Sequence, residues 1–191
     1  MSRSAIVVVF GLMGTGKTTL ARELGAALNW PVVHSDAVRK ILAGLSPTTR
    51  MPLSFGQGIY SAAFSIRTYD EMRRMAAQYL AAAPGVILDG SYTRAAERAK
   101  VQQTGRELGA RVLFVQCVCP PEVALKRMRQ REQDPCSISD GRPELAPVQA
   151  QSFDPIDAAD PDFVNLDTDR ELTAVLRELK EWVAGKIKQG E

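Results

Sequence analysis

The stretch GLMGTGKT, Gly11–Thr18, follows the apolar run AIVVVF, Ala5–Phe10, and leads directly into TTLARELGAAL. A short β-branched run that ends at a glycine and is followed by helix formers predicts a strand, a tight loop and a helix. The stretch matches G-x-x-x-x-G-K-[ST] completely, with Gly16, Lys17 and the following threonine in their fixed places. The strand and helix that this pattern requires are therefore both predicted on its two sides.

A loop of this kind can surround an anion with backbone N–H groups. Glycines let these groups turn inward, and the N-terminus of the following helix adds partial positive charge. Lys17 would then reach the outer phosphates, while the Thr18 hydroxyl would ligate the accompanying Mg²⁺. The candidate nucleotide-binding residues of the loop are Gly11, Met13, Gly14, Thr15, Gly16, Lys17, Thr18 and Thr19.

Length and composition favour a single domain over residues 1–191, with a lid at about 132–160. The chain has 191 residues, of which 45% are hydrophobic, and a formal net charge of +2. A net charge this close to zero gives the protein no overall positive surface of the kind that binds nucleic acid without sequence specificity. The composition therefore does not support nucleic acid as a partner, although it does not exclude it. No apolar run approaches the roughly 20 residues needed to cross a bilayer, and no secretory leader is recognisable. We therefore expect a cytoplasmic protein without a membrane partner.

The cysteines and the histidine give no metal signature. Cys117, Cys119 and Cys136 form no C-x-x-C pair, and His34 is the only histidine, so a structural zinc site is not expected. Cys117 and Cys119 lie two residues apart in RVLFVQCVC, which predicts two thiols on one face of a buried strand.

Strand and helix patterns alternate along the chain. PVVHSD, GVILDG, RVLFVQCVC and DFVNLDT predict four further strands. Helical patterns separate them, including a long one from about Ile59 to Ala82 that could be broken once, and a terminal one from about Glu171. This alternation predicts an α/β fold with a five-stranded parallel sheet covered by helices on both faces. The segment from Asp134 to Asp160 predicts a mobile lid with a short helix near Pro147–Phe153.

Ligands of such sheets bind beyond the carboxyl ends of the strands, which draws attention to the polar residues there. In HSDAVRK, Asp36 could accept the proton of an attacking hydroxyl, and Arg39 could stabilise charge on a transferred phosphoryl group. The alternative interpretation is that Asp36 is the N-cap of a helix and that Arg39 is exposed to solvent. In VILDGSYTR, Asp89 resembles the acid that orients Mg²⁺, although a strand-end aspartate can also simply form a turn.

Arginines supply the remaining candidates. Arg127 and Arg131 are four residues apart in LKRMRQRE, directly before the lid. Their guanidinium groups suit stacking on an adenine ring and contact with phosphate, respectively. The alternative is that both belong to a solvated basic face of the helix. Arg94 could line the acceptor site or be a surface residue. The candidate catalytic residues are Lys17, Asp36, Arg39 and Arg131; the candidate acceptor-binding residues are Asp36, Arg39, Arg67, Tyr92 and Arg94.

These motifs resemble the P-loop small-molecule kinases grouped with gluconate kinase, shikimate kinase, zeta-toxin and chloramphenicol phosphotransferase. The similarity is strongest to AAA-type kinases that are sometimes fused to aminoglycoside-phosphotransferase-like domains, and it runs from GLMGTGKTTLA to NLDTD. It implies a P-loop NTPase fold with strand order 2-3-1-4-5. It also implies ATP and Mg²⁺ as cofactors, with Asp36 at the acceptor hydroxyl and Arg127 and Arg131 on ATP.

Two departures from the family pattern bear on the acceptor. The third strand is followed by DGSY, which is nearer to nucleoside monophosphate kinases, but the lid sequence DPCSISDGRPE lacks the multiple arginines that clamp a second phosphate in those enzymes. The missing arginines make transfer to an existing phosphate doubtful and favour transfer to a hydroxyl of a small molecule. Two alternatives stay open: a polynucleotide 5′-hydroxyl kinase and a nucleotide-binding regulator or ATPase. The first would need a basic channel, for which the candidates are Arg39, Lys40, Arg50, Arg67, Arg73 and Arg74.

Overall fold

The computed structural model describes residues 4–51, 56–131, 134 and 138–188. Its strands are β1 (Ala5–Phe10), β2 (Val32–His34), β3 (Gly85–Asp89), β4 (Arg111–Val118) and β5 (Phe163–Asp167). Its α-helices are α1 (Lys17–Leu28), α2 (Ser35–Leu42), α3 (Ala62–Leu80), α4 (Ala95–Leu108), α5 (Pro121–Arg131), α6 (Ala146–Gln151) and α7 (Leu172–Lys188). Short 3₁₀ helices span Gly58–Tyr60 and Pro143–Leu145.

The five strands form one parallel sheet in the order β2-β3-β1-β4-β5. This confirms the expected strand order and parallel direction. The central strand β1 is buried along its whole length, as the uninterrupted apolar run predicts for a strand that is covered on both faces.

Alternate residues of β1 enter two separate hydrophobic cores. Ile6, Val8 and Phe10 pack in the core that includes residues of α3 and α4, whereas Val7 and Val9 pack in the core that includes residues of α1 and α7. This alternation follows from the two-residue period of a strand, which sends successive side chains to opposite faces. The helices therefore cover both faces of the sheet, as expected.

The long helical pattern from Ile59 is indeed broken once. The 3₁₀ helix Gly58–Tyr60 ends before Ser61, whose hydroxyl accepts a 3.4 Å hydrogen bond from the Phe64 N–H and caps α3. In the lid segment, which we define as residues 132–160, the predicted short helix is α6. No helix of the described ranges is both long and apolar enough to span a membrane.

The prediction of buried strand thiols holds for one of the two cysteines that it concerns. Cys117 is buried in β4, and burial raises the pKa of its thiol to about 12, so the thiolate form is disfavoured. Cys119 lies beyond the end of β4 and is only partly buried, so the expectation of two thiols buried on one strand face was wrong for it. Cys136 falls outside the described residues.

Strand register brings the polar strand ends together. His34 of β2 pairs with Asp89 of β3, and Val9 of β1 pairs with the same aspartate. Val118 of β4 pairs with Asp167 of β5. Because all strands are parallel, their carboxyl ends lie at one edge of the sheet, where the loop after β1 also begins.

Candidate active site

The loop between β1 and α1 depends on its glycines. Gly11, Gly14 and Gly16 have φ of 137°, 80° and 83°, a region that L-residues with a side chain rarely adopt. A Cβ at Gly11 would lie 2.5 Å from the Cys117 carbonyl oxygen, and one at Gly14 would lie 2.6 Å from the Ala124 carbonyl oxygen. The loop is therefore both left-handed and tightly packed, as an anion cradle made of backbone N–H groups requires.

Lys17 begins α1 and faces back into the loop. Its Nζ donates a 2.5 Å hydrogen bond to the Leu12 carbonyl oxygen. Burial lowers the pKa of Lys17, with Arg131 acting in the same direction and Asp89 opposing it. An anion placed in the loop would favour the charged ammonium, because an opposite charge nearby stabilises the protonated form.

Thr18, Asp89 and His34 meet at the carboxyl end of β3. The Thr18 hydroxyl donates to Asp89 Oδ2 at 2.8 Å, and His34 Nδ1 lies 2.8 Å from the same oxygen. Asp89 Oδ1 is buried and has no hydrogen-bond partner among the described residues. A hydroxyl beside a carboxylate with an unpartnered oxygen fits Mg²⁺, which prefers oxygen ligands and takes few of them from the protein. His34 contacts this carboxylate from the adjacent strand β2 and so helps to orient it. The sequence analysis did not assign this role to His34.

Asp36 and Arg39 lie on α2 beside this edge. The helix begins at Ser35 and its N-cap is His34, so Asp36 is in the first turn and not at the cap. Burial raises the pKa of Asp36; Asp140 and Asp89 raise it further, whereas Arg39 and Lys40 oppose the shift. The carboxyl group is thus more basic than an ordinary aspartate, which is the direction that a proton acceptor requires.

Arg39 is buried and already engaged with the segment before α3. Its Nη1 donates to the Ile59 carbonyl oxygen at 2.5 Å and to the Ser65 hydroxyl at 3.1 Å. The guanidinium carbon lies 4.9 Å from the centroid of the Tyr60 ring. Arg39 Nε is buried without a partner among the described residues, so one N–H of this group is available to a ligand oxygen.

The two candidate arginines of α5, Arg127 and Arg131, have different surroundings. Arg127 Nη2 donates to the Thr168 carbonyl oxygen at 2.7 Å, and Nη1 donates to the Thr168 hydroxyl at 3.2 Å. That hydroxyl in turn donates to the Thr15 carbonyl oxygen at 2.8 Å. Arg127 is therefore fixed beside the glycine loop at the end of β5. Arg131 instead lines the cavity described below and acts electrostatically on Lys17.

A buried charge cluster, which sequence analysis did not predict as a unit, joins the lid segment to α2. The Nζ of Lys40 is fully buried; it donates to the Ile138 carbonyl oxygen at 2.7 Å and lies 3.1 Å from Asp140 Oδ2. The Tyr60 hydroxyl donates to the same Oδ2 at 2.5 Å, and the Met51 N–H donates to Oδ1 at 3.3 Å. One lid carboxylate thus connects α2, the segment before α3 and the lid.

The lid segment also contacts the glycine loop directly. The Met13 N–H donates a 2.7 Å hydrogen bond to Oε1 of Gln149, a buried residue of α6. Met13 is one of the predicted nucleotide-binding residues, whereas no sequence pattern pointed to Gln149. The lid at its C-terminal end is held by Arg98, which donates to the carbonyl oxygens of Asp154 and Pro155 at 2.8 and 2.9 Å.

These elements enclose one cavity of about 590 Å³. Its wall includes most of the predicted site: Gly14, Gly16, Lys17, Thr18, Asp36, Arg39, Asp89, Arg94 and Arg131. Within the described residues, no cluster of three histidine, cysteine or acidic side chains offers a separate metal site.

Six predicted residues do not line this cavity: Gly11, Thr15, Thr19, Arg67, Tyr92 and Arg127. Arg67 is exposed and packs against the Phe64 ring, with 5.1 Å between the guanidinium carbon and the ring centroid, and it does not line the cavity. Tyr92 is fully buried in the core, where its ring centroid is 4.5 Å from that of Tyr69. Thr19 is exposed on α1. The structure therefore does not bring Arg67 or Tyr92 to the acceptor side of the cavity.

The fold is shared with solved kinases. The gluconokinase of Sinorhizobium meliloti 1021 superposes with a TM-score of 0.68 and 18% identity, covering 98% of this chain and 95% of that one. A sugar kinase of Janibacter sp. HTCC2649 gives 0.67 and 18%, covering 95% of each chain. The APS kinase of Mycobacterium tuberculosis, solved with AMPPNP and APS, gives 0.64 and 18%, covering 96% and 99%.

Comparison of the sequence with known proteins identifies relatives of this chain and a matching family model. An uncharacterized protein of Mycobacterium tuberculosis H37Rv is 29% identical over 126 residues, which are 66% of this chain and 25% of the relative. The chain thus matches about a quarter of the length of its curated relatives. A family model described as "AAA domain" matches residues 6–155. With this match over most of its length and the fold of P-loop kinases, the chain belongs to this AAA-domain family.

Proposed function

We propose that the protein is an ATP- and Mg²⁺-dependent kinase that transfers the γ-phosphoryl group to a hydroxyl of a small molecule. The observation that carries this proposal is the placement of Asp36 in the same cavity as Lys17, Thr18 and Asp89. A nucleotide-binding site alone does not need a partly buried carboxylate of raised pKa in the same cavity as its glycine loop, whereas transfer to a hydroxyl uses one as proton acceptor.

On the nucleotide side, the loop N–H groups and Lys17 would hold the phosphates, and Thr18 and Asp89 would hold Mg²⁺. The metal, when bound, neutralises charge on the β- and γ-phosphate oxygens. The contacts of Arg127 with Thr168, beside the glycine loop, support a role of Arg127 at the nucleotide, and the position of Arg131 in the cavity wall supports a role at the transferred group. These roles are mainly positioning and electrostatic, as phosphoryl transfer requires.

On the acceptor side, Asp36 would orient the hydroxyl and accept its proton, while Arg39 Nε would donate to an oxygen of the reacting groups. The lid contacts through Gln149 and Asp140 support closure over both substrates. A closed lid excludes water and so limits wasteful hydrolysis of ATP.

The polynucleotide 5′-kinase alternative loses support because its candidate channel residues are engaged elsewhere. Arg39 and Lys40 are buried, Arg73 pairs with Asp70 and Glu97, and Arg74 pairs with Glu71. Arg50 donates to the carbonyl oxygens of Arg131 and Asp134. A channel for a polyanion needs several accessible cations, and only Arg50 and Arg67 of the six are exposed without an ion pair among the described residues. Phosphorylation of a DNA or RNA 5′ end remains the direct assay of this alternative.

The proposal is tested by incubating the purified chain with [γ-³²P]ATP, Mg²⁺ and a broad panel of hydroxyl-bearing metabolites. Label should move to at least one member, and Lys17→Ala should abolish this transfer while the far-UV circular dichroism stays native. Tight ATP binding without transfer to any compound would favour a nucleotide-binding regulator instead. A Lys17→Ala variant that transfers at the wild-type rate would refute the assignment of the phosphate loop.

A further inference from the structure

One peptide unit of the glycine loop, between Leu12 and Met13, is hydrogen-bonded at both of its ends. Its carbonyl oxygen, on Leu12, accepts a 2.5 Å hydrogen bond from Lys17 Nζ. Its N–H, on Met13, donates a 2.7 Å hydrogen bond to Oε1 of Gln149 in α6. The ammonium group that we assign to the outer phosphates and the amide of a lid residue therefore meet the loop at the same peptide.

This contact fixes the orientation of the Gln149 amide. A backbone N–H needs an acceptor, so the oxygen of the carboxamide, and not its NH₂ group, must face Met13. The oxygen and nitrogen of a carboxamide are about 2.2 Å apart, because the C=O and C–N bonds measure about 1.23 and 1.33 Å. Nε2 of Gln149 therefore lies within about 5 Å of the Met13 nitrogen.

The NH₂ group of Gln149 is available to a ligand. Gln149 is only 9% exposed and lines the cavity. No hydrogen bond joins its Nε2 to any of the described residues. Polar groups in largely buried residues are normally satisfied by protein, water or ligand. An oxygen of a molecule bound in the cavity would satisfy this donor.

The lid segment brings no positive charge to the described wall of the cavity. Arg142 is the only lysine or arginine between residues 132 and 160. Its Nη1 lies 3.2 Å from Glu144 Oε1, and it is not among the described residues that line the cavity. A lid contact to a phosphate must therefore come from a neutral donor. Gln149 is the lid side chain that is hydrogen-bonded to the glycine loop.

We propose, on the basis of the kinase function proposed above, that Gln149 is a further γ-phosphate-binding residue. Its Nε2 donates to an oxygen of the γ-phosphoryl group while its Oε1 stays on the Met13 N–H. An amide that is held in place before the nucleotide arrives can form this bond to a charged group with little further loss of side-chain entropy. Because Gln149 belongs to the lid, the same bond makes the lid hold ATP more firmly than ADP.

The test compares two nucleotides that differ by the γ-phosphate. The affinities of AMPPNP and ADP are measured with Mg²⁺ by calorimetric titration for the wild type, Gln149→Glu and Gln149→Met. Both substitutions should weaken AMPPNP binding at least tenfold and ADP binding less than threefold, as expected for the loss of a hydrogen bond to a charged group. Gln151→Glu is the matched control, because Gln151 is exposed at the end of the same helix and outside the cavity. It should change neither affinity by threefold.

A purely structural role of the Met13 contact predicts a different pattern. Gln149→Glu keeps an acceptor for the Met13 N–H and would then bind both nucleotides like the wild type, whereas Gln149→Met would bind both more weakly. That pattern, or equal weakening of AMPPNP and ADP, would overturn the inference alone. Selective weakening by Gln149→Glu without Gln149→Met would also overturn it, because repulsion by the new charge would then be the cause. A wild-type protein that binds neither nucleotide would count against the proposed kinase function.

The pH dependence of Gln149→Glu gives a second readout. When the introduced carboxyl group is protonated, it is uncharged and carries an O–H donor in place of the lost amide. The loss of AMPPNP affinity relative to the wild type should therefore shrink at least threefold from about pH 8 to about pH 5, in buffers where circular dichroism shows both proteins folded. Titration of the nucleotide and of Asp36 affects both proteins and cancels in this ratio. A loss that stays the same across this range would show that no donor at this position reaches the γ-phosphate.

Discussion

Replacing Lys40 by methionine tests the buried charge cluster that joins α2 to the lid segment. Methionine fills a similar volume but removes the ammonium, which leaves Asp140 with only the Tyr60 hydroxyl and the Met51 N–H as donors. The Asp140 side chain is 8% exposed, so its charge cannot recover full hydration in place. Breaking a buried ion pair by removing one partner costs about 3–5 kcal/mol.

This cost converts into a large change of melting temperature. In a chain of this size 1 kcal/mol corresponds to roughly 2–4 °C, so Lys40→Met should lower Tm by about 6–20 °C. Lys100→Met is the control, because Lys100 pairs with Glu97 but its side chain is 43% exposed. A pair of that kind contributes about 0–1 kcal/mol, so the control should shift Tm by less than about 4 °C.

The double variant Lys40→Met/Asp140→Asn identifies the cause. Asparagine removes the uncompensated charge yet can still accept a hydrogen bond from Tyr60 or Met51. It should recover at least half of the loss seen in Lys40→Met, because the cost comes from a buried unpaired carboxylate and not from missing volume. Differential scanning calorimetry of the three variants at one pH is the measurement. A Tm of Lys40→Met equal to that of the Lys100→Met control, or a double variant no better than Lys40→Met, would refute the reasoning.

The remaining predictions concern the proposed kinase site. Asp36→Asn should lower the rate of transfer by roughly 10²–10⁴-fold. Its melting temperature at pH 7 should equal or exceed that of the wild type. Because the pKa of Asp36 is raised in the folded state, the folded state binds more protons at this group than the unfolded state does. Burial of Asp36 therefore costs stability as pH rises from its ordinary pKa through the raised one. A variant that melts earlier but transfers normally would contradict both statements. The acid limb of the wild-type rate profile should lie above the usual aspartate range, as a pH titration of kcat/KM would reveal. Arg127→Ala should weaken ATP binding by about 10–100-fold in calorimetric titration, while Arg131→Ala should chiefly lower kcat, by about 10²-fold. Negligible effects of both substitutions would indicate that the two arginines only form part of a solvated helix face. Asp89→Asn should raise the Mg²⁺ concentration for half-maximal nucleotide binding at least tenfold, and an unchanged Mg²⁺ titration would remove it from the metal site.

The glycine loop and its strand and helix could be predicted from the sequence because every determinant is local. The turn needs left-handed backbone at Gly11, Gly14 and Gly16, and these glycines stand within eight residues of one another. The polar strand ends were found for the same reason, since a parallel sheet brings the residues after its apolar runs to one edge. Asp36, Asp89 and Lys17 therefore reach one cavity, as their positions after the strands predict.

Side-chain direction at turns could not be predicted in this way. Tyr92 follows the third strand, where acceptor residues are expected, but its backbone has a φ of 41° and its ring packs in the core. A left-handed residue redirects its side chain relative to its neighbours, and only the three-dimensional path of the turn decides where that side chain goes. Arg67 lies on a helical face whose orientation depends on how α3 packs.

The sequence by itself determined the fold class, the glycine loop and the carboxylates near it, because hydrophobic period, glycine spacing and strand-end position act over short stretches. Only the tertiary structure decided which charges remain available to a ligand. Lys40, which the sequence offers as a candidate for an accessible basic channel, is buried, where it pairs with Asp140 and donates to the carbonyl oxygen of Ile138, 98 residues along the chain. Burial and pairing at such separations depend on the packing of whole elements, and so the availability of a charge to a ligand is a property of the folded chain.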